Sequence, residues 1–378
     1  MSVIALRSIP ACVNDNKTGM KRSGVTVWIV ILGPFVIMSV KSKIIKPLLV
    51  HSGALTMQSK LSAPTALILC YHSVSDRRLE QSAVISPGIT VDADRFEQQM
   101  SILRKEYHPV TLDDLADSLK LGTKLPRREV AVTFDDGFAD NYHLAAPIME
   151  KYDIRGAIYL AVDAVRRQEL PWYCRLHYLF HQAVEKELVF TDPESGRNWH
   201  CAHPDEKNDA ERFYAKSCVV LDGEEQRKRI EQIESYFGYK LDLSQPSPGM
   251  MTFAQAKELR RRGHIIGSHT LSHGTAGLLT AEQLQREIGG AHQILEQELG
   301  EPVQHFSYPH PYQIDPQWND DSLKQTEQLG YKTAVLTRHG LVYQAENPLL
   351  LPRLYIGNDH AERFRWHLES AFAGLGMS

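Results

Sequence analysis

The chain has 378 residues, enough for one large α/β domain or two ordinary ones. Its hydrophobic fraction of 43% and charged fraction of 23% are typical of a globular protein, and its formal net charge of −4 argues against a nucleic-acid partner held by a basic surface. Its five cysteines form no CxxC pair, so neither a zinc knuckle nor a disulfide framework is indicated.

An uncharged apolar run at positions 25–40 follows several basic residues near the N terminus. It is shorter than the about 20 residues of a membrane-spanning helix and close in length to the about 7–15 residues of a signal-peptide apolar core, although no small-x-small cleavage site follows it. A signal anchor, a signal peptide and a translation start at Met38 therefore all stay open, and residues 1–41 are treated as a separate segment. An anchor would associate the protein with a bacterial-type envelope or inner membrane; otherwise we expect a cytoplasmic protein.

Residues 42–164 are predicted to form the first part of an α/β domain, because apolar strands alternate here with helices. The predicted strands are 66–72, 130–134 and 156–161, and the predicted helices include 94–105 and 139–152. Such alternation is typical of a parallel sheet, either open or closed into a barrel.

Residues 165–250 interrupt this alternation. They are charged, mostly helical in pattern and contain three of the five cysteines. We interpret them as an insertion that forms a lid or one side of a substrate groove, with surface padding as the alternative. Residues 251–378 resume the alternation and are predicted to form the second part of the same domain. Their predicted strands are 264–269, 306–309, 331–335 and 350–356.

Two adjacent carboxylates, Asp135 and Asp136, end the strand 130–134 and precede Gly137. In parallel sheets, catalytic groups collect at the carboxyl ends of strands. Neighbouring side chains of an extended chain point in opposite directions, which would suit one carboxylate on a metal and the other as a free base. The alternative is a plain Asp-Gly turn.

A histidine pair, His269 and His273, begins at the end of another short strand. On a helical turn this spacing would bring both rings to one face, close enough to share a metal. The spacing alone decides nothing, because 17 histidines in 378 residues would produce about one such pair by chance. Combined with a carboxylate, the pair would suit a divalent hydrolytic metal, most often zinc.

The segments 133–137 (TFDDG) and 269–273 (HTLSH) together resemble the polysaccharide deacetylase family, whose members are metal-dependent carbohydrate esterases (carbohydrate esterase family 4) sharing the NodB homology domain. The resemblance covers residues 66–357 apart from the insertion, and includes 71–72 (YH) and 306–309 (FSYP). It implies a distorted, incomplete (β/α) barrel with a largely helical insertion.

The same resemblance implies the roles of the site residues. Asp136, His269 and His273 would hold a divalent metal, most favourably Zn²⁺, and Asp135 would be the general base. The base would deprotonate a metal-polarised water that attacks the carbonyl of an N-acetyl sugar. A backbone N–H near Tyr308 is expected to stabilise the oxyanion.

Two features depart from the family pattern. The segment 306–309 lacks the arginine that often orients the catalytic aspartate; Arg353 is the candidate replacement, with a surface arginine as the alternative. The segment 354–357 lacks the histidine expected as general acid. Candidate substitutes are His310, His339 and His360, each with an ordinary loop role as its alternative.

Four residues are predicted to contact the substrate: His72, Tyr308, Pro309 and Trp172. His72 could instead form a hydrogen bond within the core. Trp172, with its neighbour Tyr173, could stack on a sugar ring or could anchor the insertion.

The favoured hypothesis is a hydrolase that removes N-acetyl groups from an N-acetylated polysaccharide or its glycan precursor. One alternative is a non-catalytic carbohydrate-binding or scaffold protein with the same fold. Another is a related hydrolase of a different non-peptide C–N bond. The sequence does not specify the polymer or the oligomeric state.

Overall fold

A computed structural model describes residues 65–76, 84–122, 128–238 and 249–374, together with the backbone of 29–32 and 35–38. Contacts divide the chain into two compact units, one formed by residues 62–365 and the other by 1–61 with 366–378. All elements that build the candidate site belong to the first unit.

Part of the apolar run 25–40 is described as two antiparallel strands, β1 (Ile29–Leu32) and β2 (Phe35–Met38). The other residues of the segment 1–41 lie outside the described residues, so the hypotheses of an anchor, a signal peptide and a start at Met38 stay predictions. Among the helices that the structure does describe, none has the length and apolarity needed to cross a membrane.

An eight-stranded sheet forms the centre of the unit 62–365. Its strands are β3 (Ala66–Tyr71), β6 (His108–Pro109), β7 (Glu129–Phe134), β8 (Ala157–Leu160), β11 (Ile265–Ser268), β12 (His305–Ser307), β13 (Thr333–Val335) and β14 (Leu354–Tyr355). They lie in the order β13-β12-β11-β8-β7-β3-β14, with β6 beside β7, and every pair is parallel. The central strands are buried along their whole length, as expected of parallel strands covered on both faces. The predicted incomplete parallel barrel is confirmed.

Twelve α-helices are described, numbered here in chain order. They are α1 (Ala93–Glu106), α2 (Leu112–Leu121), α3 (Ala146–Lys151), α4 (Val162–Arg167), α5 (Trp172–Glu185), α6 (Pro204–Cys218), α7 (Gly223–Phe237), α8 (Phe253–Arg261), α9 (Ala281–Leu284), α10 (Ala291–Leu299), α11 (Asp320–Gln328) and α12 (Ala361–Phe372). Two short strands, β4 (Ser73–Ser75) and β5 (Thr90–Asp92), pair in parallel beside the barrel. Threonine side chains cap three helices: Thr111, Thr252 and Thr280 each accept a hydrogen bond from the third helical N–H.

The predicted helix 139–152 begins instead as a π-helical turn, Asn141–Ala145, before α3. The N–H of Ala146 donates to the carbonyl of Asn141, five residues earlier. The next residue, Pro147, has no N–H to continue α-helical bonding to residue 143, which explains the wider turn.

The segment after β13 spans much of the gap between the two edges of the sheet. Leu351 pairs with Val335 of β13, and Leu354 pairs with Leu69 of β3. Between these contacts lie Pro352, which has no N–H to donate, and Arg353. The predicted strand 350–356 is therefore reduced to the two residues of β14, and this path carries the Arg353 side chain into the barrel, where it is fully buried.

The region 165–250 contains helices α5, α6 and α7 and an unpredicted hairpin of strands β9 (Val189–Thr191) and β10 (Asn198–His200). It has an apolar core of its own. The buried aromatic residues of that core are Trp172, Phe180, Phe190, Trp199, Tyr214 and Phe237. Two of its cysteines, Cys201 and Cys218, are buried free thiols within the same core.

Gly267→Ala is expected to lower the free energy of unfolding by about 1–3 kcal/mol, measured by chemical denaturation. An added Cβ would lie 2.5 Å from the Tyr159 ring and 2.7 Å from the His305 carbonyl, and that carbonyl is held within the sheet. Gly290→Ala is the matched control, because nothing lies within 4 Å of its added Cβ. This control should be neutral or slightly stabilising, and equal losses from both variants would contradict the close approach of the strands.

Candidate active site

The predicted site residues meet at the carboxyl ends of the parallel strands. Asp135 and Asp136 directly follow β7, His269 follows β11, and Ser307 ends β12. His72 follows β3. Because parallel strands end on the same edge of the barrel, residues more than a hundred positions apart in sequence share one site.

The cluster of Asp136, His269 and His273 is buried, and one donor atom from each residue lies within 4.8 Å of the others. Oδ1 of Asp136 lies 3.2 Å from Nε2 of His273 and 3.6 Å from Nε2 of His269. The backbone is strained here, with φ of +75° at Asp136 and +64° at His273. Non-glycine residues adopt this left-handed conformation at a cost, and such strain concentrates at functional sites.

The chemistry of these three side chains fits a divalent cation. Oδ1 of Asp136 is buried and has no hydrogen-bond partner. Nδ1–H of His269 donates to the Ser307 carbonyl at 2.8 Å, which leaves the Nε2 lone pair free to bind a metal. Burial lowers the pKa of His269 to about 4, so that the imidazole is neutral at neutral pH. A carboxylate with two imidazoles suits Zn²⁺, although other divalent ions accept the same donors.

Asp135, whose Oδ2 lies 3.9 Å from Nε2 of the same His269, forms a bidentate ion pair with Arg353. Nη1 and Nη2 of the arginine lie 2.7 Å from Oδ1 and 2.6 Å from Oδ2 of the carboxylate. Further donor contacts of the guanidinium are to Thr133 Oγ1 at 3.1 Å, Ser307 Oγ at 3.0 Å and the Leu336 carbonyl at 3.0 Å. Arg353 is thus a buried partner of Asp135, not a surface arginine, and its hydrogen bonds fix the orientation of that carboxylate.

Both carboxylates are held in the ionised form. Burial opposes ionisation of Asp135, but the Arg353 guanidinium outweighs it and lowers the pKa of this carboxyl well below its usual range. Burial also opposes ionisation of Asp136, where His273 and the other nearby imidazoles outweigh it and lower the pKa. Both carboxylates are therefore unprotonated, as a proton acceptor and a cation ligand must both be.

His72 lies beside Asp135, where one of its ring nitrogens, the Cys70 thiol and a carboxylate oxygen are all within 4.8 Å. The ring is half-buried, and its Nδ1 has no hydrogen-bond partner. Its backbone carbonyl accepts a hydrogen bond from Asn141 at 2.7 Å, which ties this residue to the segment that follows the two carboxylates. The structure thus brings His72 into the site.

The other residues predicted to contact substrate are buried. The N–H of Tyr308 donates to the Val335 carbonyl at 3.0 Å, and its phenol is fully buried against Thr326. Tyr308 therefore has no free N–H for an oxyanion, and Pro309, also buried, has none at all. Trp172 is only 5% exposed and packs in the core of the region 165–250, the position expected of an anchor.

Two of the candidate general acids, His310 and His360, differ in burial and in their partners. His310 is half-buried, with Nδ1 hydrogen-bonded to Thr337 at 2.7 Å and Nε2 3.0 Å from the Asp315 carboxylate. His360 is exposed and accepts a hydrogen bond from the N–H of Arg363.

The contacts of two residues with the site were not predicted from the sequence, although Tyr173 was named there as a possible sugar-stacking residue. Ser307 supplies its carbonyl to His269 and its hydroxyl to Arg353. Tyr173 donates its phenol to Oδ2 of Asp136 at 2.6 Å, and burial raises the pKa of this phenol well above its usual value. The adjacent Trp172-Tyr173 pair is the one available sequence signal, and it does not distinguish a hydrogen-bond donor from a packing residue.

Comparison with known proteins agrees with this fold. A family model described as polysaccharide deacetylase matches residues 224–334, which include both histidines but not the two carboxylates. YxkH of Bacillus subtilis (strain 168), a protein named as a polysaccharide deacetylase, is 21% identical over 299 residues, covering 79% of this chain and 74% of YxkH.

Two solved structures share the fold at low sequence identity. The Streptococcus pyogenes deacetylase PplD, solved with acetate, has a TM-score of 0.53 at 17% identity and aligns over 80% of this chain and 97% of its own. IcaB from Ammonifex degensii has a TM-score of 0.50 at 18% identity, over 82% of this chain and 98% of its own. The family-model match and the curated relative agree with the resemblance to the polysaccharide deacetylase family that the motifs at 133–137 and 269–273 carry, and the solved structures share the incomplete barrel.

Proposed function

We propose that the chain is a metal-dependent hydrolase that removes N-acetyl groups from an N-acetylated glycan. This proposal rests on the different surroundings of two adjacent carboxylates. Asp136 faces the imidazoles of His269 and His273 with an unpartnered oxygen, and Asp135 is held ionised by Arg353. Hydrolysis of an amide by water requires one group that binds a cation and another that accepts a proton. Here the two carboxylates lie side by side at the end of β7.

Asp136, His269 and His273 would hold the metal, which when bound supplies a Lewis acid that polarises water and the acetyl carbonyl. Asp135 accepts a proton from the attacking water, and Arg353 keeps its carboxylate ionised and oriented. Acetate and a free amine result when the C–N bond of the acetamide breaks. The departing amine must gain a proton, since an amide anion is too basic to leave.

His72 is the proposed donor of that proton. It is the half-buried histidine next to Asp135, with an unpartnered ring nitrogen, and it compensates for the absence of a histidine in the segment 354–357. A general acid contributes typically ~10²–10⁴-fold to the rate.

His72→Ala should therefore lower the rate of acetate release from an acetamide by about 10²-fold. It should have little effect on hydrolysis of 4-nitrophenyl acetate, because nitrophenolate leaves without being protonated. His360→Ala is the control, since this histidine is exposed. Equal losses on amide and ester would contradict the role as acid, and would indicate instead that His72 positions the acetyl group.

The proposed reaction is tested by acetate release. The full chain, loaded with Zn²⁺, is incubated with N-acetylglucosamine oligomers, with poly-N-acetylglucosamine and with an unrelated amide substrate. Acetate from the glycans and none from the other amide supports the proposal. Bound metal without acetate from any glycan would instead favour the carbohydrate-binding or scaffold alternative. Turnover of the other amide alone would favour the hydrolase of a different C–N bond.

A further inference from the structure

The first turn of α5 lies against the candidate metal ligands. Tyr173, its second residue, donates a 2.6 Å hydrogen bond from its phenol to Oδ2 of Asp136. Its ring centroid lies 4.7 Å from that of His273, and the neighbouring Trp172 donates from Nε1 to the His273 carbonyl at 3.4 Å. A helix of the region 165–250 thus contacts two of the three proposed ligands.

A second contact from the same region reaches the loop between the two histidines. The N–H of Gly223, at the start of α7, donates to Ser272 Oγ at 2.9 Å. Ser272 in turn donates to both oxygens of the buried Glu287, at 2.6 Å and 2.9 Å. The region 165–250 therefore contacts the histidine loop as well as the aspartate.

The hydrogen bond from Tyr173 determines which oxygen of Asp136 is available. Oδ2 is occupied by the phenol, and Oδ1, directed toward the two imidazoles, has no hydrogen bond. Loss of the phenol would leave Oδ2 buried without a donor and would allow the carboxylate to rotate. Groups that orient metal ligands in this way typically change metal affinity by ~10–100-fold when they are removed.

We propose that Tyr173 is a positioning residue that presents Asp136 to a divalent cation, so that the region 165–250 sets the metal affinity of the site. This inference rests on the metal centre of the proposed function. The region 165–250 would thus contribute to metal binding, which is distinct from substrate binding. We therefore expect mutation of Tyr173 to change the metal affinity and acetate release separately.

The test is the affinity of the full chain for Zn²⁺, measured by competition with a chromophoric chelator after removal of bound metal. Tyr173→Phe keeps the ring and removes only the hydroxyl, and we expect its Kd for Zn²⁺ to rise by about 10-fold or more. Tyr214→Phe is the matched control, because it removes another phenol-to-carboxylate bond of the same region, from Tyr214 to Asp192 at 2.5 Å, away from the site. Its Kd should equal that of the wild type.

Equal Zn²⁺ affinities of Tyr173→Phe and the wild type would overturn the inference, as would an equal loss in both tyrosine variants, since that would indicate a general structural effect. A wild-type chain that binds no Zn²⁺ would also overturn it. Circular dichroism establishes that each variant is folded, and Tyr173→Leu provides a second removal of the phenol. Acetate release at saturating Zn²⁺ is measured separately: normal metal binding without acetate would reject the proposed function and leave the positioning role intact.

Discussion

Asp135→Asn is expected to lower acetate release by ~10²–10⁴-fold while the protein still binds its metal. The amide has almost the shape of the carboxylate but cannot accept a proton from water. It is also not one of the three groups proposed to hold the cation, which are Asp136, His269 and His273. The measurement compares initial rates of acetate release with the content of bound Zn²⁺ after dialysis.

His269→Ala provides the contrast. It removes one of three donors, so both the bound Zn²⁺ and the activity should be lost together. If Asp135→Asn kept a near-normal rate, Asp135 would not be the base. If it lost metal as completely as His269→Ala, its role would be that of a ligand, and the proposed division between the two carboxylates would be wrong.

Arg353→Met should lower the free energy of unfolding by about 3–5 kcal/mol at neutral pH, because it leaves Asp135 buried without its partner. Burial favours the neutral carboxyl, so the pKa of Asp135 should rise in this variant above its value in the unfolded chain. The variant should then lose stability as the pH rises above about 4, the ordinary pKa of an aspartate. In the wild type the lowered pKa has the opposite effect, so the ion pair contributes fully above that pH and weakens as the pH falls below it. Chemical denaturation at pH 4 and pH 7 should therefore show the larger difference between the two proteins at pH 7.

Two controls distinguish the loss of the buried ion pair from the loss of an arginine side chain in general. Arg338→Met removes a side chain that is 60% exposed and lies 3.8 Å from Glu346, and its effect should be below about 1 kcal/mol. The double variant Asp135→Leu with Arg353→Met removes both buried charges and should recover part of the stability without activity. A single-variant loss no greater than that of Arg338→Met would contradict the buried ion pair.

The alternating apolar pattern was sufficient to predict the class of fold. Residues 130–134 and 156–161 match β7 and β8 within one or two residues, and the Thr111, Thr252 and Thr280 caps are visible as local motifs. The hairpin of β9 and β10 was not predicted, since its three-residue strands are too short for a periodic signal in a polar segment. A hydrophobic period can be recognised only in helices and strands that are long enough to repeat it.

The separation of the two carboxylates has a different origin from the one that the sequence suggested. An extended strand would direct Asp135 and Asp136 to opposite sides, but β7 ends at Phe134, before both residues. The turn at Asp136, with φ of +75°, is what directs its carboxylate to the histidines. Tertiary contacts around the two residues maintain this strained turn.

The sequence by itself determined the strand ends at which Asp135, Asp136 and His269 lie, because strands and turns depend on residues close together along the chain. Tertiary structure alone decided which groups surround them. Arg353 reaches Asp135 across 218 positions because the segment after β13 crosses to β3, and Tyr173 reaches Asp136 from a separate helix. Tertiary structure also pairs the N–H of Tyr308 with the Val335 carbonyl in a hydrogen bond. Such contacts depend on strand order, register and burial, which no local pattern of residues encodes.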